Sequence, residues 1–186
     1  MTTVDELWYL ADEASQQAEQ TYHRLSEHYD DYLEFETTKF VPRSRFRTVA
    51  TRIKHNGAPY GAHTLTYRPD GKLLLVRHEG VDRWVLPGGQ ATDDEQFEQT
   101  ARRELREEAG IEGTYDGLGM VGRVTFVSDE HTTWGVLPIF EAKADESEPE
   151  VDDPDDEISA AAWFDELPPD TRDREQLRKW REWRLE

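Results

Sequence analysis

Residues 89–111 have the sequence GQATDDEQFEQTARRELREEAGI, and this stretch decides the fold. It predicts one helix over residues 93–109, which ends at Gly110 because glycine tolerates the left-handed conformation that follows many helices. Thr92 and Glu95 have the spacing of a capping box, in which each side chain bonds to the backbone N–H of the other residue. Glu95 therefore has a structural explanation before any chemical one.

Three carboxylates lie on one face of this helix. Glu104, Glu107 and Glu108 are three and four residues apart, so their like charges repel. A hard divalent ion with oxygen ligands, Mg²⁺ or Mn²⁺, would offset that repulsion. Gly88 and Gly89 precede the helix, and without side chains they let the backbone approach the same site closely.

The whole string, from Gly89 through Glu95 and Arg103-Glu104 to Gly110, resembles the Nudix box at all of its fixed positions. The resemblance covers residues 58–168. It implies an α+β fold, the Nudix α/β/α sandwich with a mixed sheet, preceded here by two extra helices. It also implies hydrolysis of a pyrophosphate bond in a small molecule, a nucleoside diphosphate linked to another moiety, with Mg²⁺ or Mn²⁺ as cofactor.

The same resemblance implies roles for individual residues. Carboxylates of the box resemble metal ligands, the Gly89 carbonyl resembles a further ligand, and Arg103 resembles the arginine that orients the glutamates. Either Glu108 or Glu104 serves as general base. Glu157 resembles an extra carboxylate from outside the box, although it is also one of nine acids between residues 145 and 157. The residues with an implied role are Glu104, Glu107 and Glu108 for metal, Arg103 for orientation, and Gly88, Glu95 and Gly110 for structure.

The substrate is less defined than the reaction. Trp84 and Trp134 could stack on a base, although packing in the core or an interface is the favoured role for each of them. A nucleotide sugar, a dinucleotide and a nucleoside triphosphate all remain open. The alternative function is a nucleotide-binding regulatory module that performs no turnover.

The composition narrows the classes of binding partner that we expect. The chain of 186 residues has 41 acidic and 22 basic side chains, a formal net charge of −19, which predicts no general binding to nucleic acid or anionic membrane. No stretch approaches the ~20 apolar residues of a membrane span, and no signal peptide is evident, so we expect a cytoplasmic protein. Such an acidic surface suggests an extreme halophile, and an ordinary acidic protein is the alternative.

The first 57 residues form an appendage in this interpretation. Apolar residues at three- and four-residue steps predict a helix over 4–33, and a shorter helix runs from Ser44 to Gly57. The long apolar stripe favours a homodimer, with packing onto the chain's own domain as the alternative. Between residues 39 and 54 the chain has basic side chains and no acid, which suggests an interface or a phosphate-facing patch.

The rest of the chain predicts strands over 63–68, 72–77, 84–86, 120–127, 133–142 and 158–164, a solvated acidic loop over 145–157, and a terminal helix from residue 171. The predicted domain limits are 1–57 for the helical appendage, 58–168 for the Nudix domain and 169–186 for the terminal helix.

Overall fold

The computed structural model describes the backbone of residues 3–186 and the side chains of residues 6–186. Residues 1 and 2 of the predicted appendage lie outside this description. In chain order the helices and strands are α1 (Thr3–His28), β1 (Leu33–Phe40), α2 (Arg43–Asn56), β2 (Ala62–Tyr67), β3 (Leu73–His78), β4 (Arg83–Val85), β5 (Gly88–Gly89), α3 (Phe97–Ala109), β6 (Thr114–Ser128), β7 (His131–Lys143), β8 (Ile158–Phe164) and α4 (Arg174–Leu185).

These elements belong to two compact units. The first unit contains the described residues up to Gly61 together with Val121–Pro138, and the second contains Ala62–Met120 and Ile139–Glu186. Strands β6 and β7 therefore contribute residues to both.

The second unit contains a mixed sheet, as predicted. Strand β2 runs parallel to β7, with His63 opposite Ile139, and antiparallel to β3. Strand β3 in turn pairs antiparallel with both β4 and β8. The turn between β2 and β3 contains Gly71 at a φ of 88°, which a glycine adopts without strain.

Helices cover both faces of this sheet. On one face the Thr64 hydroxyl donates to the Ala101 carbonyl of α3 at 3.3 Å. Tyr67, an odd number of residues further along β2, points to the opposite face, where its ring lies 5.5 Å from that of Trp180 on α4. The predicted α/β/α sandwich is thus confirmed within this unit. A buried cluster that includes Leu74, Leu105 and Ala109 joins α3 to the sheet.

The first unit is built on the packing of α1 against α2. Their buried apolar residues are Leu7, Ala11, Ala14, Ala18 and Leu25 on α1, and Phe46, Val49, Ala50 and Ile53 on α2. Helices α1 and α2 approach closely at Gly57, which ends α2 at a φ of 89°. A side chain at this position would collide with Thr21 of α1. The apolar stripe of the long helix is therefore largely covered within this unit.

Several predicted boundaries were wrong. The first helix ends at His28 instead of residue 33, and the strand β1 that follows was not predicted. Asp31, at a φ of 61°, turns the chain between them. Helix α2 begins after Pro42, not at Ser44, because proline suits the position before a first turn. Helix α4 begins at 174 instead of 171.

Strands β2, β3, β4, β6, β7 and β8 and the loop over 145–157 lie where they were predicted, although β6 begins six residues earlier than expected. The short strand β5 was not predicted. Among residues 3–186, no helix combines the length and apolar character that crossing a membrane requires.

Candidate active site

The segment between Gly89 and α3 does not begin the helix at residue 93 as predicted. Helix α3 starts at Phe97, and its first turn is capped where the Gln96 N–H donates to the Gln99 side chain at 2.9 Å. Asp94, at a φ of 69°, prevents a continuous helix over 93–96. The Thr92 N–H still donates to Glu95 Oε1 at 3.1 Å, so this half of the predicted capping box closes a turn.

Arg103 gathers the carboxylates of the site. Its Nε donates to Glu95 Oε2 at 2.8 Å, and its Nη1 donates to Glu104 Oε1 at 2.8 Å and to Glu107 Oε2 at 3.1 Å. Its Nη2 also donates to the Gln90 carbonyl at 3.1 Å. These bonds raise the pKa of Arg103, and the guanidinium stays charged. One cation therefore holds three acids in fixed positions.

Glu95 is the acid most firmly held in its ionised form. The hydrogen bond from Arg103 lowers the pKa of Glu95 to about 2, and the Thr92 N–H and the Thr100 hydroxyl, which donates at 2.8 Å, act in the same direction. The sequence could not reveal the parts of Gln90 and Thr100, because a backbone carbonyl and a common helix residue have no distinctive spacing.

Glu104 and Glu108 are in the opposite situation. Both are buried, with relative exposures of 7% and 6%. Burial raises the pKa of Glu108 to about 9, and the charge of Glu104 adds to this, although the Gly88 N–H donates to Glu108 Oε2 at 3.1 Å and opposes the shift. Burial also raises the pKa of Glu104. Glu108 thus lacks the positive charge that its ionised form requires, whereas Glu104 shares the guanidinium of Arg103 with Glu95 and Glu107.

The paired glycines bring backbone to these carboxylates. Gly88 and Gly89 form β5, which pairs with Ala62 and His63 of β2. A Cβ atom on Gly89 would lie 2.7 Å from both Cδ and Oε1 of Glu104. The site therefore has space at residue 89 only for glycine, as the predicted close approach requires.

This donor set fits a hard divalent cation. Three carboxylates pair with one guanidinium and a fourth, Glu108, lies beside them. All the offered donors are oxygen, and the two most buried acids have raised pKa values that a cation would reverse. As the side chains of residues 6–186 lie, no three acidic or imidazole groups already form a metal cage, and Arg103 bonds to an oxygen of Glu104 and of Glu107.

The acidic loop is tied to the end of the helix. The Glu150 N–H donates to the Ala109 carbonyl at 2.7 Å, and the Asp152 N–H donates to the Glu107 carbonyl at 3.1 Å. These bonds satisfy carbonyls at the end of α3, which Gly110 terminates at a φ of 65°. Part of the predicted solvated loop is therefore docked beside the box.

The remaining candidate residues have contacts of their own. Glu157 is well exposed, and its Oε2 lies 3.3 Å from Nε2 of His78. Trp84 packs edge-to-face on Phe164, with the ring centroids 4.8 Å apart. In the first unit, the ring of Trp134 has the Arg123 guanidinium 4.4 Å above it. Each tryptophan thus has a packing partner.

Comparison with known proteins decides the family. The family model described as the NUDIX domain matches residues 58–183. The chain belongs to the Nudix family. The NUDIX domain of Shewanella oneidensis NrtR, in complex with ADP ribose, shares the fold with a TM-score of 0.54 at 18% identity, over 86% of this chain and 92% of that one.

Two relatives by sequence match about half of the chain at 32% and 36% identity. A Bacillus subtilis protein named "Putative 8-oxo-dGTP diphosphatase" is 32% identical over 89 residues, 47% of this chain and 60% of its own length. The "Oxidized purine nucleoside triphosphate hydrolase" of Danio rerio is 36% identical over 98 residues, 51% of this chain and 59% of its own length. The chain thus aligns with about three fifths of each relative.

Proposed function

We propose that this Nudix protein is an enzyme that hydrolyses a pyrophosphate bond in a small nucleotide substrate, with Mg²⁺ or Mn²⁺ as cofactor. The observation that carries the proposal is the cluster of four carboxylates, three of them paired with Arg103 and two of them buried, beside the backbone of Gly89. A structural role alone does not explain this arrangement, because it is costly to bury Glu108, which accepts a backbone N–H and pairs with no guanidinium among residues 6–186.

Each residue has a part in this proposal. Glu104, Glu107 and Glu108, with the Gly89 carbonyl, would hold the cation, which offsets charge on the diphosphate and lowers the pKa of a bound water. Arg103 positions Glu104 and Glu107, and Glu95 anchors Arg103. Glu108 or Glu104 accepts the proton of the water that attacks phosphorus, since these are the two buried carboxylates of the cluster and lie beside the position that the cation would take.

The substrate class that we favour is a nucleoside triphosphate. Both sequence relatives carry names of enzymes acting on oxidised purine nucleoside triphosphates, and each aligns with about half of the chain. Nucleotide sugars and dinucleotides are the alternative substrate classes. A Nudix module that binds nucleotide without turnover is the alternative function.

The test is turnover on a substrate panel with two matched variants. The panel contains 8-oxo-dGTP, dGTP, ADP-ribose and a dinucleoside polyphosphate, each with Mg²⁺ or Mn²⁺. We expect Glu108→Gln to lower kcat at least ~100-fold with the fold retained, because it removes a ligand charge and a base. Glu98→Gln is the control, since it makes the same change on α3 where Glu98 pairs only with Arg102 at 3.5 Å.

Turnover that persists in excess chelator would contradict the metal assignment. Equal rates for the Glu108→Gln and Glu98→Gln variants would contradict the site. Binding of nucleotide without turnover of any panel member would establish the regulatory alternative.

Three further site assignments are part of the proposal. Trp84 and Trp134 are candidate stacking residues for the base, and Glu157 is a candidate extra carboxylate. The packing partners of the two tryptophans argue for structural roles. If a tryptophan ring contacts the base, its substitution by leucine should change KM more than kcat; if the ring only packs, it should not.

We also propose a homodimer, based on two exposed aromatic residues of α1 and no longer on its whole apolar stripe. The stripe of α1 is covered by α2, but Trp8 and Tyr9 remain exposed at 58% and 60%, with their rings stacked edge-to-face at 5.3 Å. Two large exposed aromatic residues on one helix favour burial against a second copy.

We further propose that the protein is adapted to a cytoplasm of high salt. The basis is the net charge of −19, since self-repulsion of this size is weak where salt shortens the screening length to ~3 Å.

A further inference from the structure

The second unit contains a cavity of about 880 Å³ at the far end of β2 from the Nudix box. Ala62, at one end of this strand, pairs with Gly89. Tyr67, at the other end, lines the cavity and lies five residues away, or about 17 Å at ~3.3 Å per residue. The turn after β2, the end of β7, residues 165–167 and helix α4 form the other walls. The cavity is therefore separate from the carboxylate cluster.

Helix α4 presents three arginines to this cavity. Arg174, Arg178 and Arg181 are four and three residues apart and share one face of the helix. Each has an anchoring bond: Arg174 Nε donates to the Leu167 carbonyl at 3.1 Å, Arg178 Nη1 to Glu175 at 2.9 Å, and Arg181 Nη1 to the Asp165 carbonyl at 2.6 Å. A guanidinium has five N–H donors, so these bonds fix the side chains and leave other donors for a ligand.

Two further basic residues complete the lining. Arg68 is mostly buried, packs with its guanidinium 5.4 Å from the Trp163 ring centre, and has an Nε that is buried without a hydrogen-bond partner among residues 6–186. Lys143, opposite Tyr67 in the parallel pairing of β7 with β2, is exposed and forms no ion pair within that part of the chain. Five cationic side chains thus surround one cavity.

Basic residues are more frequent in this lining than in the chain as a whole. The lining has five basic residues and four acidic ones, Asp70, Asp165, Glu166 and Glu186. Asp70 is engaged by Arg68 at 3.2 Å, and Asp165, Glu166 and Glu186 are exposed to solvent. In a chain with 41 acids and 22 bases, even this small excess of bases is opposite to the overall balance. The negative charge of the whole molecule would repel an anion, and the local excess of bases in this cavity opposes that repulsion. The cavity therefore favours an anionic ligand.

We propose that this cavity binds a small molecule through an oligophosphate group. Arginine forks suit phosphate oxygens because they donate two parallel hydrogen bonds, and the side chains on α4 are held in place before any ligand arrives. The volume lies within the ~300–1,000 Å³ of small-molecule sites and accommodates a nucleotide as well as an inorganic oligophosphate. The proposal does not depend on the hydrolytic activity of the Nudix box.

The experiment is calorimetric titration of the full chain with inorganic tripolyphosphate, in excess EDTA and at one fixed salt concentration. Without divalent ions the carboxylates of the box repel the probe, so binding reports on the cavity. Lys143→Gln and Arg178→Gln are each expected to weaken binding about tenfold, the loss of one charge-assisted contact. Both side chains are exposed, and circular dichroism checks that each variant is folded. A nucleoside triphosphate that binds more tightly than tripolyphosphate would assign the nucleoside to the cavity as well.

Two controls separate this site from the alternatives. Arg24→Gln removes an exposed positive charge from α1 and is expected to change affinity less than about twofold, which excludes a general charge effect. Glu108→Gln in the box is expected to leave the affinity unchanged. The proposal is overturned if tripolyphosphate shows no saturable binding, if Arg24→Gln weakens binding as much as Lys143→Gln and Arg178→Gln, or if Glu108→Gln changes affinity and the cavity variants do not.

Discussion

Replacing Gly89 by alanine tests whether the geometry of the carboxylates, and not only their presence, is needed for turnover. The new Cβ would lie 2.7 Å from Cδ and Oε1 of Glu104, about 0.8 Å closer than the ~3.5 Å at which carbon atoms pack comfortably. Gly89 has no positive φ, so alanine does not strain its backbone. The Glu104 carboxylate, at the end of a flexible side chain, must therefore move away from residue 89, which displaces the Oε1 atom that accepts from Arg103.

The expected cost falls on catalysis instead of stability. A displacement approaching 1 Å of a positioned group lowers rates by ~100-fold, or about 2.7 kcal/mol of barrier. We expect kcat/KM of Gly89→Ala to fall by this factor on whichever panel nucleotide is turned over. Affinity for Mn²⁺, measured by electron paramagnetic resonance, should fall in parallel, and the melting temperature should change by only a few degrees.

Gly80→Ala is the matched control. A Cβ there would lie 2.9 Å from Cε1 of His78, a similar collision with the end of a side chain, but in a surface turn. This variant should keep wild-type kcat/KM and Mn²⁺ affinity. If Gly89→Ala were as active as Gly80→Ala, or lost activity without losing Mn²⁺ affinity, the inference that Gly89 fixes the position of Glu104 at the metal site would be refuted.

Three other outcomes are expected. Glu95→Gln should lower kcat less than Glu108→Gln, because Glu104 and Glu107 still hold Arg103 when its bond to Glu95 is weakened; equal losses with intact folds would give Glu95 a direct chemical role. The melting temperature should rise between ~0.1 M and ~2 M KCl, since screening shortens from ~10 Å to under 3 Å, and equal values would remove the case for salt adaptation. Light scattering in high salt should show a dimer that becomes monomeric in the double variant Trp8→Ser and Tyr9→Ser, whereas a monomeric wild type would exclude the dimer.

The sequence predicted the helix face and its acids because spacing alone determines them. Residues three and four apart share a side of any helix, so Glu104, Glu107 and Glu108 are neighbours wherever α3 begins. The start of that helix was wrong, because an aspartate in the left-handed conformation at position 94 separates Thr92 from the helix. Turn conformation of this kind depends on contacts across the segment, which a local pattern does not contain.

The strand β1 was missed for a related reason. Its residues are LEFETTKF, and only Phe35 is buried, against Gly122 of β6. Apolar and polar residues alternate only over Leu33–Glu36, which is too short a pattern to predict a strand, and the predicted helix over 4–33 ended at the first residue of β1. The turn at Asp31 separates α1 from β1, and a single aspartate in the sequence does not predict such a turn.

The four acids of the box are chemically distinct, and that difference depends on three-dimensional packing. Glu95 is kept ionised by direct bonds from Arg103, and it has no unmet need for a cation. Glu108 receives one backbone N–H and no guanidinium, is almost fully buried, and has its pKa raised to about 9. Of the four acids, Glu108 would therefore be stabilised most by a nearby divalent cation, which would return it to its ionised form. Arg103 thus satisfies Glu95 and pairs with Glu104 and Glu107 but leaves Glu108 unpaired with any guanidinium among residues 6–186, which is why a lone arginine among four glutamates is consistent with metal binding.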